Sequence, residues 1–229
     1  MQEATVDYYQ ENYEFATDME HIHPGYQFTI QKIRATPHRY LSPSQRRVID
    51  VGCGPGYLLV DLQRRGFDCL GIDFNPDAVR LANERFGVPA RVERVENLIK
   101  TGGAHFDLAL LSHVLEHVES PLSLLKDIYQ LLDPAGVLVI DVPNRDWFSP
   151  SHSLKRGTCF EGDYPPNHLT FWSSSVLSCA LNLAGYTVLE CAPRPFNDLN
   201  RIETFVGKHL KRSEKKYFTS MRIRQCETK

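Results

Sequence analysis

Val48-Ile-Asp-Val-Gly-Cys-Gly-Pro-Gly-Tyr57 joins an apolar run directly to three glycines, Gly52, Gly54 and Gly56. Val48, Ile49 and Val51 read as a strand covered on both faces, the pattern of a central parallel strand. Glycines just beyond such a strand let the backbone turn sharply and approach a ligand more closely than any Cβ would allow. A helix is predicted to begin near Gly56, with its free N–H groups and positive dipole end directed back over the turn. The stretch therefore reads as a cofactor cradle.

Spacing narrows the cofactor. A dinucleotide turn needs G-x-G-x-x-G, but Tyr57 stands three residues after Gly54, where the third glycine belongs. No Gly-Lys-Ser/Thr follows, which excludes a P-loop. Downstream, Cys69-Leu-Gly-Ile-Asp-Phe-Asn-Pro76 forms a second short strand ending in Asp73, 19 residues after Gly54, one helix and one strand later. A carboxylate there can accept both hydroxyls of a ribose, with Phe74 beside it. Helix capping is the competing role for Asp73. Asn75-Pro76 already supplies a cap and a first-turn proline, so Asp73 is expected to be free for the ligand.

An acidic strand residue, Asp50, followed by G-x-G-x-G and then by Asp73, resembles the first motifs of class I S-adenosylmethionine (SAM) methyltransferases. Further on, Phe106-Asp-Leu-Ala-Leu-Leu-Ser-His-Val-Leu-Glu-His-Val118, a helix, and Leu132-Asp-Pro-Ala-Gly-Val-Leu-Val-Ile-Asp141 resemble the ubiquinone-biosynthesis-like, type 11/23 group of that family. The resemblance covers about residues 47–192. It implies SAM as cofactor, with Asp50, Gly52, Cys53, Gly54 and Gly56 at its methionine end and Ser112 and His113 beside that moiety. For the adenine end, relatives carry Asp after the third strand where this chain has Arg94; Glu93, Val95 or Glu96 are expected to substitute.

The wider pattern agrees. Strands at 47–52, 68–73, 90–94, 106–112, 136–142 and 187–193 alternate with helices near 56–66, 77–87, 121–133 and 173–185. This is the α/β signature of a Rossmann-like, doubly wound, mostly parallel seven-stranded sheet with helices on both faces. The seventh, antiparallel edge strand is expected at Phe218–Gln225. Residues 1–46 are expected to form an aromatic-rich helical cap bearing Tyr8, Tyr9, Tyr13, Phe15, Tyr26 and Phe28, and residues 47–229 the SAM-binding domain. That domain includes a lid-like insert at 143–171 and a basic segment at 195–229. Long loops of this kind are often binding loops.

Composition excludes other classes. With 42% apolar and 24% charged residues in 229, the chain suits one globular enzyme domain, and a net charge of −2 argues against nucleic-acid binding by bulk electrostatics. Between Gly207 and Lys229 eight Lys/Arg face two Glu. A solvated helix face and an anionic partner or surface are both open for that segment. Six scattered cysteines form neither a disulfide framework nor a zinc spacing. No signal-like start and no apolar run of about 18 residues occurs, so a soluble, cytoplasmic protein is expected.

Methyl transfer from a sulfonium is an in-line displacement that requires alignment and, for a hydroxyl or protonated amine, removal of a proton. Histidine titrates near working pH. His113 and His168 are the leading catalytic candidates, with His152, Asp163 and Tyr164 also in the insert. By the same resemblance, His168 in Tyr164-Pro-Pro-Asn-His-Leu-Thr-Phe-Trp172 reaches towards the acceptor; packing beneath Trp172 is its competing role. His113, Glu116 and His117 stand at i, i+3 and i+4, on one face of a helical turn. In some ubiquinone-pathway relatives a like-placed Glu accompanies a divalent metal. Here His113 replaces it, so no metal site is expected, and Glu116 and His117 are expected to hydrogen-bond within the strand–helix junction. The acceptor would be a small molecule, methylated on O or N. A SAM-binding, non-catalytic partner and a Rossmann-type nucleotide-dependent oxidoreductase are the alternatives.

Overall fold

The structure is a computed structural model and describes residues 19, 40–102, 105–144, 165–193 and 201–207, with 192–193 and 201–207 as backbone only. Five parallel strands form its frame: β1 (Arg47–Val51), β2 (Asp68–Asp73), β3 (Ala90–Val92), β4 (Phe106–Ser112) and β5 (Leu132–Pro143). Between them run α1 (Tyr57–Arg64), α2 (Pro76–Glu84), α3 (Val95–Lys100) and α4 (Pro121–Leu131), and α5 (Ser174–Leu183) follows the insert. The strand order begins β3-β2-β1-β4-β5, so the chain reverses direction across the sheet between β1 and β4. That is where open α/β sheets place their ligands.

Alternation along the strands explains the two-sided cover. Val48, Leu108, Leu110, Val137 and Val139 pack with α1 and α2 residues such as Leu59, Leu62 and Ala82. Ile49, Ala109, Leu111, Leu138 and Ile140 pack on the other side with Leu98 of α3, Leu125 and Ile128 of α4, and Leu177 and Leu181 of α5. All seven residues of β4 are buried, as a central strand requires. By the same parity Asp50, Asp73, Ser112 and Asp141 leave the strand ends on the α1/α2 side. At the opposite end of the sheet, Asp107 Oδ2 accepts from Arg46 N at 2.8 Å and Arg47 N at 2.9 Å, which pins β1 to β4.

Several expectations need correction. Beyond β5, Arg201–Gly207 (β7) pairs antiparallel with it, and Thr187–Pro193 (β6) pairs antiparallel with β7, giving the order β5-β7-β6. The antiparallel strand is thus an inner one, placed by its pairing to β5, and 218–225 lies outside the described residues. Helix α3 was not foreseen, because six residues carry too little periodicity. β5 starts at Leu132 rather than 136, with its register to β4 shifting between Phe106 and Leu108. Except for Met19 and residues 40–46, the expected cap lies outside the described residues. So do His152, Asp163 and Tyr164, most of the insert, and the basic segment apart from 201–207. Among the described residues no helix is long and apolar enough to cross a membrane.

Candidate functional site

The glycine turn is built as its sequence demands. Gly52, Gly54 and Gly56 all have positive φ, at 72°, 51° and 81°. Gly52 N and Cys53 N donate to Ile72 O at 2.8 and 3.1 Å, locking the turn onto β2. A Cβ on Gly52 would overlap Val114 Cγ2. Cys53 is buried, and a Cβ on Gly71 would come within 2.6 Å of its Sγ. A small residue at 53 and none at 71 are therefore required together. Gly56 caps α1 without a side chain, so no side-chain oxygen covers the first turn of that helix.

Asp50 is 1% exposed and, among the described residues, neither carboxylate oxygen has a hydrogen-bond partner. Burial, reinforced by the neighbouring Asp73 charge, holds its carboxyl well above the usual carboxylate range. Asp73 differs from expectation. The Asn75 side chain does cap α2, accepting from Asp77 N and Ala78 N. Asp73 is nonetheless not idle: Oδ2 accepts from Gly54 N at 2.8 Å and Oδ1 from Asn75 N at 2.9 Å. The turn leaves the Gly54 N–H without a backbone partner of its own, and Asp73 supplies one. Each carboxylate oxygen retains acceptor capacity beyond one bond. Burial raises the Asp73 carboxyl, and these backbone donors partly offset that.

Phe74 follows, half-buried. Glu93 N donates to Asp73 O at 3.1 Å, so the chain entering α3 starts beside Asp73. The Glu93 carboxylate is engaged there, accepting from Arg94 N and Asn97 Nδ2 at 2.8 Å each. Val95 is buried and Glu96 is exposed.

At the end of β4, Ser112 is buried and pairs in register with Asp141 of β5. His113 has φ 56°, a left-handed conformation costing a residue with a Cβ about 1–2 kcal/mol. Its N–H donates to Asp141 O at 2.9 Å, which holds that conformation. The turn continues as a 3₁₀ segment, Leu115–His117, not as an α-helix. His113, Glu116 and His117 still converge: Glu116 Oε1 lies 3.3 Å from His113 Nδ1 and 3.7 Å from His117 Nε2. Burial alone would raise the Glu116 carboxyl, yet the two imidazoles, His113 first, hold it below the usual range. His117 is depressed, chiefly by burial, with the Glu116 charge opposing.

This turn is stitched to the end of the insert. Glu116 O accepts from Leu169 N (2.8 Å) and Thr170 N (3.1 Å), Thr170 Oγ1 donates to Leu115 O at 3.1 Å, and His117 Nδ1 meets Asn167 O at 2.7 Å. His168 is carried against His117, ring centroids 4.8 Å apart. One donor atom each from Glu116, His117 and His168 fall within 4.8 Å of one another, a grouping small enough for a divalent ion. Its contacts are internal: Glu116 faces two imidazoles, and one nitrogen of His117 is committed to Asn167 O.

Asp141 escaped the sequence reading. It is 2% exposed, and its Oδ2 lies 3.9 Å from His113 Nε2. A signal existed, since Val139-Ile-Asp-Val142 repeats Val48-Ile-Asp-Val51. The Asn167–Thr170 clasp, made mostly by backbone groups, had none.

The family model described as a methyltransferase domain, type 23, matches residues 26–191, well over half of the chain. A ubiquinone biosynthesis O-methyltransferase from Xanthomonas axonopodis pv. citri (strain 306) is 34% identical over 110 residues, 46% of this chain and 46% of its own length. One from Psychrobacter cryohalolentis is 33% identical over 108 residues, covering 44% of this chain and 42% of the relative. The matched part thus spans less than half the length of these curated relatives. Magnesium protoporphyrin IX methyltransferase from Synechocystis PCC 6803, solved with bound S-adenosylhomocysteine, superposes with a TM-score of 0.69. It is 16% identical, over 90% of this chain and 100% of that one. A Pyrococcus horikoshii OT3 protein gives a TM-score of 0.67 at 18% identity, over 88% and 98%. The turn, the strand-end carboxylates and these matches agree, and the chain belongs to the class I SAM-dependent methyltransferases, in the type 23 group.

Proposed function

We propose that this chain is a SAM-dependent methyltransferase that moves a methyl group to an oxygen, or else a nitrogen, of a small-molecule acceptor. The observation that carries the reading is Asp50, a buried carboxylate without a hydrogen-bond partner among the described residues, set behind a left-handed glycine turn. A buried, unpaired carboxylate is costly, and a cationic ligand over the strand end offsets that cost. SAM carries both an ammonium and a sulfonium group. When bound, it supplies a methyl on positively charged sulfur, which departs as a neutral thioether.

The remaining roles follow from position. Asp50, Gly52, Cys53, Gly54 and Gly56 hold the methionine end; Asp73, with Phe74 beside it, takes the ribose; Val95 and Glu96 flank the adenine; Ser112 and His113 stand at the methyl side. His113 is the first candidate for proton removal and His168 the second, and no metal enters the reaction. An oxygen acceptor is favoured by the names of the curated relatives. We place the acceptor beside Ser112 and His113, over a sheet that the paired β6 and β7 complete to seven strands.

Incubation with methyl-tritiated SAM and a panel of small hydroxyl and amine compounds tests the reading. Label transfer to a hydroxyl acceptor is the expected result. SAM binding without transfer across the panel favours a non-catalytic SAM-binding protein, and binding of a nicotinamide dinucleotide in place of SAM overturns the reading.

A further inference from the structure

Asp50 and Asp73 leave the ends of two paired strands, β1 and β2, on the same side of the sheet. The two carboxyls are provided for unequally. Asp73 accepts from Gly54 N at 2.8 Å and from Asn75 N at 2.9 Å, one backbone donor on each oxygen. Asp50, 1% exposed, has no hydrogen-bond partner on either oxygen among the described residues. Donors stabilise the charged form of a carboxyl, and burial without them favours the neutral form. The charge that acts on Asp50 is the like charge of Asp73, which opposes a second ionisation beside it. Other groups packed around Asp50 bring no cation. Cys53 in the turn and Cys69 on β2 are buried thiols, pushed up by burial first and so uncharged. β4 sets Leu110 in register with Asp50, and α1 adds Tyr57 to the packing on that side. Of the two acids, Asp73 is built to keep a charge and Asp50 to keep a proton.

We infer that Asp50 is protonated in the ligand-free chain and gives its proton to solvent when SAM binds, so that cofactor loading is coupled to proton release. The inference rests on the methyltransferase reading and adds to it how the site meets the cofactor's charge. The Asp50 O–H bond breaks, its electron pair stays on the carboxylate, and the proton passes to water or buffer. SAM brings an ammonium and a sulfonium against one carboxylate of its own, a net positive charge. An ionised Asp50 behind the turn meets that charge through space, where burial strengthens the attraction. Without the cofactor, the proton on Asp50 avoids a second buried negative charge beside Asp73. By linkage, a step that releases a proton is favoured as pH rises. SAM affinity therefore climbs with pH between the ionisation of Asp50 in the complex and its ionisation in the free chain, and levels off above the latter.

Calorimetric titration of SAM into the full chain, in two buffers of different ionisation enthalpy, counts the protons released. The range is about pH 5 to pH 7, where an α-ammonium stays charged. Wild type is expected to release a count approaching one proton per SAM bound, with affinity rising by up to about tenfold per pH unit over the same range. Asp50→Asn keeps the size and cannot ionise, so it should release fewer protons and flatten the affinity profile. A histidine proton lost on binding would remain in that variant. Exposed Glu119→Gln should match wild type. Infrared spectra read the same group without turnover: ligand-free wild type should show the C=O stretch of a protonated carboxyl that Asp50→Asn lacks and that SAM removes. Equal proton release from wild type and Asp50→Asn, or no such band in the ligand-free chain, overturns the inference. If Asp50→Asn does not fold, the wild-type band decides it: its loss on adding SAM is expected, and its persistence is contrary. A chain that shows the band but binds no SAM would overturn the methyltransferase reading and the coupling, while leaving the resting proton on Asp50 standing.

Discussion

Replacing Gly52 by Ala separates the two demands that the cofactor turn makes on its first glycine. The residue has φ 72°, and an added Cβ would overlap Val114 Cγ2. The left-handed conformation costs about 1–2 kcal/mol for an L-residue. Forcing a methyl into a packed contact costs about 1–3 kcal/mol more. Gly66 provides the control: its φ is 81°, but nothing lies within 4 Å of an added Cβ. Gly66→Ala should therefore lose only the conformational part, about 1–2 kcal/mol, and Gly52→Ala about 2–5 kcal/mol in total. Urea unfolding of both variants measures the difference. Adding Val114→Ala to Gly52→Ala should remove the overlap and recover about 1–3 kcal/mol of coupling. Equal destabilisation of the Gly52 and Gly66 variants would refute the claim that the turn is closed against Val114.

Asp50→Asn should stabilise the protein increasingly as pH rises. A carboxyl raised in the folded state stabilises fully below its ordinary value of 3.8 and loses that contribution as pH climbs towards the raised value, so thermal melts from pH 4 to pH 8 should diverge, variant above wild type. Parallel melting curves would contradict this. His113→Gly should be more stable than His113→Ala by about 1 kcal/mol, because only Ala incurs the left-handed cost; equilibrium unfolding distinguishes them. Dialysis against EDTA should leave methyl transfer unchanged, and stoichiometric zinc found by elemental analysis of active protein would show that Glu116, His117 and His168 hold an ion after all.

Much of the frame was legible because its strands are covered on both faces. β1, β2 and β4 read as apolar runs ending at Val51, Asp73 and Ser112, and covered parallel strands carry that signature without needing alternation. Glycine spacing and the two strand-end acids likewise encode local geometry. What failed was non-local. β7 is defined by its pairing to β5 across more than fifty residues, and Arg-Ile-Glu-Thr-Phe-Val-Gly carries no stronger strand signal than the tail segment that competed with it. Asp73 was expected to be free for the ligand, and its bond from the Gly54 N–H was not foreseen because that donor is brought to it only by the fold. The convergence of His113, Glu116 and His117 was foreseen from i, i+3, i+4 spacing. The left-handed His113 and the 3₁₀ turn that produce it have no sequence mark. Asp141 was overlooked although its V-I-D-V context repeats that of Asp50.

Calorimetric titration of SAM into wild type and Asp73→Ala tests the central claim most directly. Asp73 holds the glycine turn through Gly54 N, and the proposed function gives it the ribose. The account predicts saturable binding at one site, weakened more than tenfold by the substitution, at least about 1.4 kcal/mol. Unchanged affinity in Asp73→Ala, or no SAM binding to the wild-type chain, would contradict it.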